Sequence, residues 1–167
     1  GIVAHVSVAH PVSKVLASTL ADSADAEGAV THRGGCYVNM EGPQFSTRAE
    51  SMAYRHMGFD IIGMTNLQEA KLAREAEIAY TTVALVTDYD CWHETEADVS
   101  VAAVIAVLNQ NVARAKQVIA NLCGLLAKSP PISAAGCMKD AILTSKDAIT
   151  PDARRRQFNR SMAWNNP

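Results

Sequence analysis

Asp88 and Asp90, two carboxylates one residue apart, end an uncharged run that begins at Ile78. Paired carboxylates are the residue type for acid–base work on a leaving group. Residues two apart can share one side of a strand, or one of them can cap a turn by accepting backbone N–H bonds. An aspartate at a strand end is more often structural than catalytic, so its company matters. Two further stretches occupy helix-start positions after strands, the loop Gly42–Ser46 and the pair Met64-Thr65. Thr65 brings a backbone and a hydroxyl suited to an anion at a helix N-terminus. Met64 offers a flexible apolar surface to a sugar face, although a methionine is usually core. His32, His56 and His93 show no metal-ligand spacing, and Cys36, Cys91, Cys123 and Cys137 form no C-x-x-C pair. They read as buried free thiols, with no metal expected.

The elements that must position these residues follow from periodicity and stop signals. Residues 2–9 have strand content. Pro11 suits a first helical turn ahead of Val12, Val15, Leu16 and Leu20, after which residues 22–28 turn the chain. Residues 29–40 alternate weakly around Gly34-Gly35, as two short strands or one bulged strand carrying Tyr37 and Val38. Thr47-Arg-Ala-Glu50 is a capping box that starts a helix, and Gly58 ends it. Residues 59–64 form a buried strand, and Asn66 opens a helix with Leu67, Ala70 and Ala73 inward. The uncharged run 78–86 is too continuous for a half-solvated strand and predicts a central one covered on both faces.

Ligands of open α/β sheets lie beyond the carboxyl ends of the strands, where Asp88 and Asp90 fall. Ser100 caps the longest helix. Its expected apolar face carries Val101, Val104, Ile105, Leu108, Val112, Ala115, Ile119, Leu122 and Leu126, and Pro130-Pro131 stops it. Beyond it the pattern is weak, with a short helix near 138–143 and a basic stretch at Arg154–Arg156.

A length of 167 residues fits one domain, and a formal charge of −2 leaves no electrostatic footprint for nucleic acid. No apolar stretch approaches the roughly 20 residues of a membrane span, and no secretion signal is visible, so no membrane partner is expected and the cytoplasm is the expected location. The chain opens on Gly1-Ile-Val-Ala, which reads as the middle of a fold, so a fragment or a processed chain is expected.

Residues 37–50, Gly63-Met-Thr-Asn66 with Glu69-Ala70, and Thr87-Asp-Tyr-Asp-Cys-Trp92 stand in an order that resembles the trimeric purine nucleoside phosphorylase family, in its methylthioadenosine-cleaving branch. The resemblance covers about residues 1–122. It implies an α/β fold with a central mixed sheet and helices on both faces, phosphorylase/hydrolase-like, of which this chain is an incomplete domain. Residues 1–128 would be the downstream part of that domain, and 129–167 a tail packing on it or on a neighbouring subunit.

The implied reaction is that of a pentosyltransferase: phosphorolysis of S-methyl-5′-thioadenosine to adenine and 5-methylthioribose 1-phosphate. Phosphate is a co-substrate and no cofactor is implied. By resemblance, Asp88 and Asp90 contact N7 and the 6-amino group, one of them protonated, because close carboxylates rarely both ionise. Phe45 lines the base pocket with Ser46 beside the base, Met64 packs on the ribose and Thr65 binds phosphate. Val101, Val104 and Leu108 receive the methylthio group, and His5 reaches a neighbouring subunit of a homotrimer. Relatives acting on 6-oxopurines carry Glu at the Ser46 position and Asn at that of Asp88, so this chain has the 6-amino pattern. The family's glycine-rich phosphate loop, an Arg-His pair and the first part of its sheet precede the segment matching Gly1, which implies an upstream half supplied by another chain. The alternatives are a related phosphorylase acting on adenosine or methylthioinosine, and an inactive nucleoside-binding fragment.

Overall fold

The computed structural model describes residues 2–93, 101–130 and 134–153, and the side chains of Val101, Ala103 and Val104 fall outside that description. The chain divides into two compact units, one built from 18–66 and 83–128 and the other from 1–17, 67–82 and the described residues beyond 129.

In the first of these units, β1 (Tyr37–Asn39) and β2 (Ile61–Gly63) pair in parallel, with Tyr37 opposite Ile61 and Asn39 opposite Gly63. A parallel pair needs a crossover. Helix α2 (Arg48–His56) supplies it and begins at the capping box read from the sequence. The Thr47 hydroxyl accepts the Glu50 amide at 3.3 Å, and the Glu50 carboxylate accepts the Thr47 amide at 2.7 Å. The helix closes on itself at Gly58, whose φ is 79°. The Phe59 amide donates to the Tyr54 carbonyl and the Gly58 amide to the Arg55 carbonyl, which satisfies the last turn. Asp60 then aligns β2: its carboxylate accepts the Cys36 amide at 2.7 Å and its own amide donates to the Cys36 carbonyl at 2.9 Å. Gly63 makes room for Tyr37, because a Cβ there would overlap the Tyr37 hydroxyl across the strand pair.

Helix α1 (Lys14–Ala26) runs through residues 22–26, where the sequence predicted a turn. Arg33 holds Asp22 at 2.8 Å and also pairs with Asp25, and the fully buried Ser23 hydroxyl donates to the Val118 carbonyl at 2.8 Å. Those partners favour helix over the turn its acidic residues suggest. The helix stops one residue before Gly28 would enter it, again with paired closing bonds from Gly28 and Ala29.

Helix α4 (Val101–Lys128) has the expected extent and part of the expected inward face: Ala115, Leu122 and Leu126 are half-buried. Ile105, Leu108, Val112 and Ile119 are exposed instead, and Val118, outside the expected stripe, is buried. At Val118 against Ile119 the covered side is displaced by one residue's turn, about 100°. The cause is polar: besides the Ser23 bond, Arg114 donates to the Gly28 carbonyl at 2.6 Å and Asn121 to the Glu27 carboxylate at 3.1 Å.

In the other unit, residues 2–9 contribute one antiparallel bridge, Ala4 to Ile142, in place of a full strand. Helix α3 (Asn66–Glu75) buries Ala70 as expected, but Leu67 is exposed. Two residues past its end lies Glu77, which has a φ of 57° and whose carboxylate accepts the Met138 amide at 3.0 Å. Residues 135–141 form successive turns, with Gly136 at φ 84°, instead of the expected short helix near 138–143. A 3-10 helix follows at Lys146–Ala148.

The run 78–86 forms no regular strand, and Ile78, Val83 and Val86 are exposed. The sheet among the described residues consists of β1 and β2, so this apolar segment has no ladder to join. The four cysteines are free, as expected, but Cys36, Cys91 and Cys123 are exposed, not buried. Cys137 is half-buried, and burial pushes its thiol pKa up, away from reactivity.

Thr47→Ala is expected to cost about 1 kcal/mol of stability, read as a lower urea midpoint. The amide of Thr47, and then its hydroxyl, hold the Glu50 carboxyl below its ordinary value of 4.5. A depressed carboxylate stabilises fully above that ordinary value and loses its contribution as pH falls through the lower folded value. Glu50→Gln should therefore flatten the acid-side fall of the midpoint.

Candidate active site

The carboxyl ends of β1 and β2 carry the two stretches that the sequence placed in one layer. The Met40 amide donates to the Gly63 carbonyl at 2.9 Å, and the Asn39 side-chain amide donates to the Met64 carbonyl at 2.7 Å. These bonds hold the two strand ends together where each chain leaves the sheet. Gly42 has a φ of 68°, and a Cβ on it would stand 2.9 Å from the Met64 sulfur, so the loop backbone lies directly against the Met64 side chain. Phe45, at 85% exposure, projects from this loop, while Ser46 is half-buried with its hydroxyl 3.4 Å from the Met40 sulfur. Thr65 is exposed and immediately precedes α3.

Of the two arrangements open to the acids, the structure adopts the turn. Asp88 accepts the Asp90 amide on Oδ1 at 2.9 Å and the Thr87 hydroxyl on Oδ2 at 2.7 Å. Asp90 sits at φ 62°, a left-handed conformation that a non-glycine residue holds only when its surroundings dictate it. Ser51, on α2 and 2% exposed, donates its hydroxyl to Asp90 Oδ2 at 2.6 Å. One turn further along α2, the Arg55 guanidinium lies 3.5 Å from the centre of the Trp92 ring. Tyr89 stacks on His93 with centroids 4.9 Å apart, and Trp92 meets both rings edge-on. The Cys91 thiol contacts the Ser46 carbonyl at 3.5 Å, which joins the segment after the acids to the Phe45 loop.

Phe45, Ser46, Met64, Thr65, Asp88 and Asp90 thus all belong to one unit. Leu108 belongs to the same unit but lies on the exposed stripe of α4. The side chains of Val101 and Val104 lie outside the described residues. His5 belongs to the other unit, exposed, with its amide bonded to the Ala141 carbonyl at 2.7 Å. Ser51 and Arg55 escaped the sequence reading. Nothing in residue type marked Ser51, a serine on the helix started by the capping box, four residues after Thr47. Among the described residues no group of three or more His, Cys, Asp or Glu could hold a metal ion.

Residues 3–123 match the family described as the phosphorylase superfamily. The chain belongs to the phosphorylase superfamily. Every candidate residue named above falls inside that matched span. The chain is 51% identical over 156 residues to the S-methyl-5′-thioadenosine phosphorylase of Geobacter sulfurreducens, covering 93% of this chain and 54% of the relative. It is 49% identical over 167 residues to the protein of the same name from Thermosynechococcus vestitus, covering 98% and 57%. Among solved structures, a methylthioadenosine phosphorylase from an antarctic soil metagenomic library superposes with a TM-score of 0.86 at 47% identity, covering 93% of this chain and 56% of that one. The chain therefore spans about half the length of the curated relatives it matches. The α/β fold of the superfamily is the one the sequence predicted.

Gly42→Ala is expected to destabilise by about 1–2 kcal/mol through the left-handed backbone alone, and the crowded Met64 sulfur adds to that. Urea unfolding measures it, and an unchanged midpoint would show that the loop does not hold this conformation.

Proposed function

We propose that this chain is the downstream part of a pentosyltransferase that cleaves S-methyl-5′-thioadenosine with phosphate, giving adenine and 5-methylthioribose 1-phosphate. The observation that carries the reading is the grouping of Asp88 and Asp90 with the Phe45–Ser46 loop in one unit, in a chain about half identical to S-methyl-5′-thioadenosine phosphorylases.

In this reading a phosphate oxygen forms the new bond to the anomeric carbon while the bond from that carbon to the purine nitrogen breaks. The bonding pair leaves with the purine, and the developing negative charge is neutralised by a proton delivered at N7. Asp88 and Asp90 meet N7 and the 6-amino group, one as a neutral donor and the other as an acceptor. Phe45 covers the base beside Ser46, Met64 packs against the ribose, and Thr65 binds phosphate at the start of α3. Val101, Val104 and Leu108 receive the methylthio group, and His5 serves the site of a neighbouring subunit in a homotrimer. Orthophosphate enters as co-substrate, without a cofactor. The upstream half of the enzyme completes the phosphate site. The setting is purine and methionine salvage in the cytoplasm.

A second reading, with adenosine also accepted, has one observation in its favour. Solved relatives from Schistosoma mansoni, about 30% identical, are named adenosine/methylthioadenosine phosphorylase.

The test is adenine release by the intact protein, with the mass of every co-purifying chain recorded. Release should require phosphate, and inosine should be a poor substrate. Asp88→Asn and Asp90→Asn should each lower kcat/KM by roughly 10²–10⁴. Release without phosphate, or turnover undiminished with both acids replaced by amides, would reject the proposal. Equal rates with and without the methylthio group would favour the second reading.

A further inference from the structure

The left-handed turn that carries Asp90 is held from one side by Asp88 and from the other by helix α2. Ser51 and Arg55 stand four residues apart on α2 and so face the same way. The first donates to Asp90 Oδ2 at 2.6 Å, and the second lies over the ring of Trp92, two residues further along. The turn is therefore gripped at two points by one rigid element.

The Ser51 bond is not explained by a need to satisfy a buried hydroxyl. A serine inside a helix can return its proton to the carbonyl one turn back, here Thr47, without involving another segment. That carbonyl accepts the Ser51 backbone amide at 3.0 Å, and the hydroxyl reaches across to the carboxylate instead. The separation of 2.6 Å lies in the range of charge-assisted O–H···O⁻ bonds, the stronger class. Ser51 is itself only 2% exposed and sits in a helix pinned by the Thr47–Glu50 box, so the donor has little freedom to follow a wandering carboxylate.

We propose that Ser51 is a positioning residue for phosphorolysis: its hydroxyl sets the side-chain torsion of Asp90 and leaves Oδ1 as the oxygen that meets the purine. Asp88 has both oxygens engaged, Oδ2 by the Thr87 hydroxyl and Oδ1 by the Asp90 amide, whereas Asp90 has Oδ2 engaged by Ser51, so Asp90 Oδ1 is the oxygen of the pair left without a hydrogen-bond donor among the described residues. This assignment rests on the functional reading above, and it concerns an element of the site that does not itself touch substrate.

The experiment is a double-mutant cycle on the intact enzyme with S-methyl-5′-thioadenosine and phosphate, comparing the parent, Ser51→Ala, Asp90→Asn and the double variant, with thermal midpoints recorded for each. Removing a hydrogen bond to a charged group should lower kcat/KM by roughly 10- to 100-fold in Ser51→Ala. In the Asp90→Asn background the same change should cost no more than about twofold, because the carboxylate that Ser51 orients is already replaced by a neutral amide. Ser51→Thr, which keeps the hydroxyl, should recover most of the loss. Equal fold-losses in both backgrounds would mark Ser51 as merely structural, and undiminished turnover in Ser51→Ala beside a damaged Asp90→Asn would likewise overturn the positioning role while leaving the functional reading intact. Undiminished turnover in Asp90→Asn would instead remove the functional reading, and this inference with it.

Discussion

The parallel pairing of β1 with β2 is the constraint that organises the candidate site. With only a few residues in each strand, the pair would be weak if its ends were free. They are tied by the Met40 amide on the Gly63 carbonyl and by the Asn39 side chain on the Met64 carbonyl. The close approach of the Tyr37 hydroxyl to Gly63 leaves no room for a Cβ there unless the Tyr37 ring moves. Two connections therefore leave the sheet side by side at its carboxyl edge, one bearing Phe45 and Ser46, the other Met64 and Thr65. Ligand sites of open α/β sheets form at such an edge because chains diverge there and leave backbone groups unclaimed by the ladder.

Polar anchors decide more of the packing than apolar pattern does. Helix α4 carries enough aliphatic residues to bury either of two adjacent stripes, and hydrophobic burial is non-directional. Hydrogen bonds are directional, and those from Ser23, Arg114 and Asn121 select the face that turns toward α1. The acid-bearing turn follows the same rule. Its left-handed residue is dictated by an amide donated to Asp88 and a hydroxyl received from Ser51, with Arg55 stacked on Trp92 to steady the exit.

The local signals in the sequence were the ones that could be read. Thr47 with Glu50 and then Gly58 specified both ends of α2, because capping chemistry is contained within a few residues. The start of α3 at Asn66 and the extent of α4 were legible for the same reason. What failed depended on partners distant in sequence. The run 78–86 has the composition of a central strand, yet strand formation requires neighbours, and the sheet among the described residues offers none beside it. The stripe 105, 108, 112 and 119 has helical periodicity, but periodicity does not say which of two stripes finds a partner. Residues 22–26 carry turn-forming aspartates whose pairing with Arg33 only the fold reveals. Ser51 gave no sign by residue type, since a serine in a helix is ordinary until its acceptor is known.

Asp60 has a consequence for how the chain tolerates change in length. Its carboxylate and amide both engage Cys36, so strand alignment is dictated from a single residue that lies two positions after the glycine closing α2. Side chains along a strand alternate between faces, so adding one residue between Asp60 and Ile61 would exchange the directions of Ile61 and Ile62 and shift Met64 to the opposite side of the sheet. Natural variation in length should therefore collect in the exposed stretch around Gly34, ahead of this latch, where extra residues can be absorbed without disturbing alignment.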